Sequence, residues 1–252
     1  MDRGIYAATS AGILADAKVE ILNNNLANVN TPGFKRQYIT TEAEEFERTL
    51  ASRLADAAPF AKGDAERTPG VESIRAVTDF SMGSIRETSR DLDVALAVPD
   101  HFFVVNTADG PRYTRAGNFS LTGEGTLVTQ SGEPLAGDIT ISGGAPKITR
   151  GGIVQVDGET VGQLQVVQIP DTSQLVQQGG NLFKLADGAP TPSAIDGTSV
   201  VPRSLELSNV SAIGSMVELI AAQRGFEMYT KTAQTIDGMN EQSIRELGRK
   251  TQ

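Results

Sequence analysis

The chain has 252 residues, 39% of them hydrophobic and only 5% aromatic, with neither tryptophan nor cysteine. Its net charge of −9 argues against nucleic acid as a partner, because phosphates would be repelled, and the missing cysteines remove disulfide and thiolate chemistry. No segment reaches the roughly 20 uninterrupted apolar residues of a membrane span, and no basic cluster followed by an apolar run marks a cleavable signal.

Residues 4–30 read as a helix. Ile5, Gly12, Val19 and Leu26 recur at seven-residue steps, and Ala8, Ala15, Leu22 and Val29 do the same offset by three. That is an a/d seam, the pattern of a helix whose narrow apolar stripe lies against another helix. Pro32-Gly33 forbids continuation, so the helix should stop near Asn30. Asn23, Asn24, Asn25, Asn28 and Asn30 crowd its end. Asn suits a helix terminus, which accounts for Asn28 and Asn30 but poorly for three consecutive Asn a turn earlier. Amides there are expected to bond to a neighbouring subunit or to a second helix.

From Phe34 to about Leu54 charge surrounds Phe46 and Leu50, which suggests a short, mostly solvated helix. Residues 55–70 are polar, with Pro59, Gly63, Pro69 and Gly70, and read as a linker or extended arm. From Val71 the period becomes alternating. Leu92, Val94, Leu96 and Val98 fall on one face and Asp93, Ala95 and Ala97 on the other. Phe102–Val105 is a short buried-type run, and Gly- and Asp-rich turns separate further short strands up to about residue 203. Regular short strands divided by such turns indicate an all-β region.

Near Ser204 the helical period returns. Leu219, Ala222, Phe226, Tyr229, Ala233 and Ile236 form a second a/d seam, with Ser208 or Ser211 as start and Gly248 as stop. Small residues at 8, 12, 15, 222 and 233 would let two backbones come close. The fold class is therefore α+β: paired, coiled-coil-like N- and C-terminal helices with an inserted all-β domain. Met216, Val217 and Ile220 widen the apolar surface beyond one stripe, as do Ile13 and Leu14. These extra faces need cover, from the β domain or from other subunits.

Few residues carry catalytic chemistry. His101 is the only histidine, so a triad or zinc site lacks further ligands, and a structural role in its turn is expected. Asp91 and Asp93 suit an acid/base pair, but their spacing also fits alternation on a solvated strand face, the preferred reading. The loop Ser142–Lys147 lacks P-loop spacing. No catalytic, cofactor-binding, metal or small-molecule site is expected.

The stretch Asn24-Asn25-Leu26-Ala27-Asn28-Val29-Asn30-Thr31-Pro32-Gly33-Phe34-Lys35 resembles the N-terminal signature of bacterial flagellar rod and hook proteins. Leu92–Leu96, Phe102–Val105, Tyr113-Thr114-Arg115-Ala116-Gly117-Asn118-Phe119 and Leu127–Thr129 resemble that family's central block. Leu207-Ser208-Asn209-Val210 and Met216–Glu227 resemble its C-terminal block. Chain length, the tail Phe226–Met239 and the lack of a Gly-rich insertion after Leu54 place the resemblance nearest the proximal rod branch, with the distal branch next. One departure is Val98-Pro99-Asp100-His101, where the family usually has glycines before the paired Phe.

The resemblance implies a non-enzymatic structural subunit of the proximal rod, part of the drive shaft that carries motor torque to the hook. It implies helical polymerisation through the terminal helices, with self, other rod proteins and the flagellar type III export apparatus as partners. The location would be the rod spanning the periplasm, reached without a cleavable signal peptide. Residues 1–35 and 204–252 become two halves of a helical assembly domain, 36–70 a short helix and linker arm, and 71–203 a β-rich outer domain. The expected assembly residues are Ile5, Gly12, Val19, Leu22, Asn24, Asn25, Leu26, Asn28 and Val29 at the N-terminus. Their C-terminal counterparts are Asn209, Val210, Met216, Leu219, Ile220, Ala222, Phe226, Tyr229, Ala233 and Ile236. A distal rod or hook-family subunit is the first alternative. A secreted β-domain that binds the cell wall, with the helices as a stalk, is the second.

Overall fold

The computed structural model describes residues 2–42 and 73–249, apart from 138, 197 and 198. The linker expected over residues 55–70, and the part of the short helix beyond residue 42, lie outside the described residues. Helix α1 spans Asp2–Ala27 and helix α2 Ala212–Arg249. Helix α1 stops three residues earlier than its apolar pattern suggests. Thr31 N donates to the Asn28 carbonyl at 3.1 Å, and Thr31 Oγ1 to Asn28 Oδ1 at 3.2 Å, closing a turn ahead of Pro32. Neither helix, over its described residues, is long and apolar enough to cross a membrane.

The solvated helix expected after Phe34 is corrected over its first part. Gln37–Glu42 is strand β1, paired with β2 at Ser73–Thr78. Tyr38, Ile39, Thr40 and Thr41 are aromatic or β-branched, and their side chains suit a pleated surface better than a helix.

The described chain divides into two units. One takes α1 through Leu26, β1, β2 through Val77, and α2. The other takes Ala27–Arg36 and Thr78–Ser211. The signature segment after Leu26 thus joins the β-rich unit, whereas the sequence pattern grouped it with the helix.

Within the β-rich unit, strands β5 (His101–Thr107), β6 (Gly110–Thr114), β12 (Val166–Gln168), β13 (Leu175–Gln177), β14 (Phe183–Leu185) and β15 (Ser193–Ile195) form a six-stranded sheet. Its order is β13-β14-β6-β5-β12-β15. Strands β9 (Pro146–Ile148), β10 (Ile153–Val156) and β11 (Glu159–Gln163) form a three-stranded sheet in the order β11-β10-β9. Two-stranded pairs join β3 (Ile85–Glu87) to β17 (Ser204–Glu206), β4 (Val94–Leu96) to β16 (Val200–Pro202), and β7 (Ser120–Leu121) to β8 (Leu127–Val128).

The paired phenylalanines explain why this unit has two cores. Neighbouring strand residues point to opposite faces. Phe103 packs with Leu96, Phe119, Leu127, Val154 and Val166, its ring centroid 5.2 Å from that of Phe119. Phe102 packs on the other side with Tyr113, Val167, Leu175 and Phe183. Strand β5 is therefore covered on both faces, as its apolar run suggests.

Strand β4 corrects a second expectation. Val94, Ala95 and Leu96 are all fully buried, so its alternation does not mark a solvated face. Asp93 is buried as well, with Arg90 Nη1 3.6 Å from its Oδ1. Asp91 is half-exposed, 3.6 Å from Arg203 Nε. The two carboxylates therefore have separate cationic neighbours, and they do not form a solvated pair.

Candidate assembly surfaces and their charged anchor

Among the described side chains of α1 the buried ones are Ala15 and Leu22, seven residues apart, and Asn25, with Val19 and Leu26 half-buried. Among those described on α2 they are Ser215 and Ala222, again seven apart, with Leu219, Ala233 and Ile236 half-buried. Apart from Asn25, burial follows the heptad over the described side chains of α1 and over the first part of α2. Phe226 and Tyr229, also expected in the seam, are 42% and 40% exposed. A Cβ added to Gly12 would meet nothing within 4 Å, so Gly12 makes no close backbone approach within the described chain.

Helix α2 also carries a second apolar face. Ile213, Met216, Val217 and Ile220 are 78%, 50%, 62% and 52% exposed. Their spacing of three, one and three residues places them on one stripe, opposite the Ser215–Ala222 face at about 100° per residue. Ile13 on α1 is likewise exposed.

The asparagines divide between jobs. Asn25 is fully buried, its Nδ2 donating to the Gln37 carbonyl at 2.7 Å and its Oδ1 accepting the Gln37 amide at 2.9 Å. That bidentate grip on one residue's main chain occupies both ends of the amide. The expectation that this amide bonds to a neighbouring subunit or to the second helix is therefore corrected: it fixes the entry to β1. Asn209 plays a matching part in the β-rich unit. Its Oδ1 accepts the Arg36 amide at 2.7 Å, and its Nδ2 donates to the carbonyls of Asp79 and Ser81 at 2.8 and 3.1 Å. Val210 beside it is buried. Asn24 is exposed, and Asn28 and Val29 are half-buried.

The signature segment is plugged into the β-rich unit. Gly33 has φ +70°, and a Cβ there would overlap the Arg115 carbonyl and the Ala116 amide, so only glycine fits. Its amide donates to the Glu206 carbonyl at 2.8 Å. Asn181, itself at φ 60°, donates from Nδ2 to the Pro32 carbonyl at 2.9 Å.

Next to this plug lies a buried charged cluster that the sequence reading missed. Lys35, Arg115 and Glu206 are all at most 1% exposed. Lys35 Nζ lies 2.6 Å from Glu206 Oε1, and Arg115 Nη2 lies 2.6 Å from Oε2. The Gly83 amide also donates to Oε1, at 3.0 Å. The spare donors reach main-chain carbonyls: Lys35 to Ser81 at 2.7 Å, and Arg115 Nη1 to Val98 and His101, each at 2.6 Å. Burial pulls both cations below their ordinary pKa values, and the Glu206 carboxylate opposes that pull. Asp79 adds to that opposition at Lys35, and Asp100 at Arg115, so one buried carboxylate serves two cations with help from the periphery.

The cluster also explains how Val98–His101 folds without glycines. Arg115 holds the turn's carbonyls from inside, and Gln168 Nε2 donates to Asp100 Oδ2 at 2.6 Å. His101 Nδ1 lies 2.7 Å from Ser199 Oγ, while its Nε2 is 3.8 Å from Asp100. Burial lowers the His101 pKa, with Asp100 opposing. The histidine fastens a turn, the structural role its setting suggested. Lys35 and Arg115 stand within the quoted motifs and Glu206 directly before one, but three charges scattered over 171 residues give no sequence sign of meeting.

Three family patterns match in chain order. They are "Flagella basal body rod protein" over residues 5–35, "Flagellar hook protein FlgE/F/G D1 domain" over 99–161 and "Flagellar basal body rod FlgEFG protein C-terminal" over 201–246. The flagellar basal-body rod protein FlgG of Bacillus subtilis is 33% identical, across 94% of this chain and 96% of its own. FlgF of Caulobacter vibrioides is 30% identical across 99% of both chains. The flagellar hook-basal body complex protein FlhO of Bacillus subtilis is 33% identical across 99% and 100%. With its matched blocks in register from end to end, the chain belongs to the flagellar basal-body rod protein family and is a structural subunit of the rod.

Proposed function

We propose that the subunit polymerises helically through α1 and α2, which pair in a coiled-coil-like manner, with the β-rich unit inserted between them as the outer domain. The observation that carries this is the exposed stripe Ile213, Met216, Val217 and Ile220 on the side of α2 opposite its buried face. Four apolar side chains on one helix face, in a protein of net charge −9, call for a covering surface. In a rod that surface is the terminal helix of a neighbouring subunit, a heterologous contact that propagates as a helix rather than closing into a ring. Val19, Leu22 and Leu26 on α1, Val29 just beyond its end, and Leu219, Ala222, Phe226, Tyr229, Ala233 and Ile236 on α2 line the seam and its continuation in this reading. The partners are further copies, the other rod proteins and the flagellar type III export apparatus. The subunit has no catalytic role and works as part of the shaft across the periplasm.

Within the rod we place it in the proximal segment. Alignment over 99% of both chains with the FlgF relative supports this position. The slightly higher identity of the FlgG relatives favours a distal position as the second reading. Imaging basal bodies from cells lacking the chain separates the two. Stubs that stop before the distal rod fit the proximal position, whereas a complete proximal rod with nothing beyond it fits the distal one.

A further inference from the structure

Strand β3 is the outer strand of its pair. Leu207 N donates to the Ser84 carbonyl at 2.9 Å and Thr88 N to the Arg203 carbonyl at 2.6 Å, so the alternate residues face β17. The main-chain groups of Ile85 and Glu87 point the other way, where no described strand lies. Ile85 and Met82 beside it are 37% and 42% exposed. An open edge flanked by apolar side chains is a template for another chain unless something covers it.

Charge marks the same edge independently. Arg203 sits at φ 52°, a left-handed conformation unfavourable for a long side chain, yet glycine or asparagine does not replace it. Its guanidinium is 55% exposed and only 3.6 Å from Asp91, a pair that contributes little by itself. Arg86 is exposed on β3, and the Arg90 side chain is 60% exposed. Arg86, Arg90 and Arg203 thus outnumber exposed Glu87 and half-exposed Asp91 there, on a protein that is acidic overall.

A complementary element exists on the same unit. Strand β11 is an outer strand of the three-stranded sheet, and it starts from the tight turn Asp157-Gly158. Glu159 and Thr160 are exposed, and Asp157 is held at φ 52°. We propose that the β3 edge of one subunit receives the β11 edge of the next copy, with Asp157 and Glu159 at its start facing the cations, adding a lateral contact between β-rich units to the helix-mediated one. This rests on the polymerisation proposed above.

The chain contains no cysteine, so introduced thiols report cleanly. The full chain carrying Glu87→Cys and Thr160→Cys is incorporated into rods and mildly oxidised in isolated basal bodies. Inter-subunit disulfide ladders are expected, and a second pair, Ile85→Cys with Glu159→Cys, guards against poor thiol geometry. Incorporation with no ladder from either pair overturns the edge contact and leaves polymerisation standing; failure of the unaltered chain to self-associate in rods removes polymerisation itself. Charge provides the second arm. Arg86→Glu with Arg203→Asp, and separately Asp157→Lys with Glu159→Lys, should each cut rod yield at least tenfold at an unchanged melting temperature. Combining them should restore it. Normal yield from both reversed variants overturns the proposal.

Discussion

The buried cluster at Glu206 and the exposed stripe on α2 invert the usual arrangement in opposite senses. Lys35, Arg115 and Glu206 are charged and inside; Ile213, Met216, Val217 and Ile220 are apolar and outside. In the first case every charge finds its partners within the β-rich unit, at 2.6–3.0 Å. In the second, apolar side chains stand in solvent. The β-rich unit thus answers its buried charges from within, while the helical unit leaves open the apolar surface that the proposed polymerisation would cover. Fixed geometry in the β-rich unit and open apolar surface on α2 are what the proposed polymer would need.

That contrast can be broken first at the cluster. Glu206→Gln leaves two cations buried without their counter-charge, which is expected to cost about 3–5 kcal/mol. Domain stabilities run only to about 5–15 kcal/mol, so chemical denaturation should show a substantial part of the β-rich unit's stability lost. Lys35→Met leaves the Arg115–Glu206 pair intact and should cost less, about 1–3 kcal/mol. Equal costs for the two would contradict the picture of one carboxylate serving two cations.

Gly33→Ala tests the plug in the same assay. It combines an unfavourable φ with overlap on the Arg115 and Ala116 main chain, so a loss above about 1 kcal/mol is expected. Asn209→Ala strips the acceptor from the Arg36 amide, with a cost of about 1–3 kcal/mol in thermal or denaturant melts.

His101 gives a smaller, pH-dependent effect. Its folded pKa is lowered, so its contribution is fully present above the ordinary imidazole value near 6.5 and is lost as pH falls through the folded pKa. Melting at pH 5 and pH 7.5 should show the wild-type β-rich unit losing stability on acidification. His101→Gln should lose less over the same interval. An identical pH dependence in the variant would show that the imidazole does not titrate against folding.

Both helices and the short, turn-divided strands were legible because period and turn residues report local geometry directly. The buried run Phe102–Val105 was legible for the same reason. Asp93 was misread because alternation says which residues share a face, not whether anything covers that face. Asn25 was misread because a polar residue late in a helix looks the same whether its amide meets a neighbour or the chain's own turn. The partnership of Lys35, Arg115 and Glu206 was invisible for a deeper reason: it exists only once distant segments close on one point, and no local pattern encodes closure. The exposed stripe on α2, by contrast, was foreshadowed by Met216, Val217 and Ile220 as apolar residues beyond one seam.

The stripe also allows the sharpest test, because it separates folding from assembly. Ile213→Asp combined with Ile220→Asp replaces exposed side chains, so the folding stability of the purified subunit should move by no more than about 1 kcal/mol. The same double variant, counted in rods of isolated basal bodies by electron microscopy, should be almost absent. Rods formed at wild-type frequency from a normally folded double variant would contradict the account.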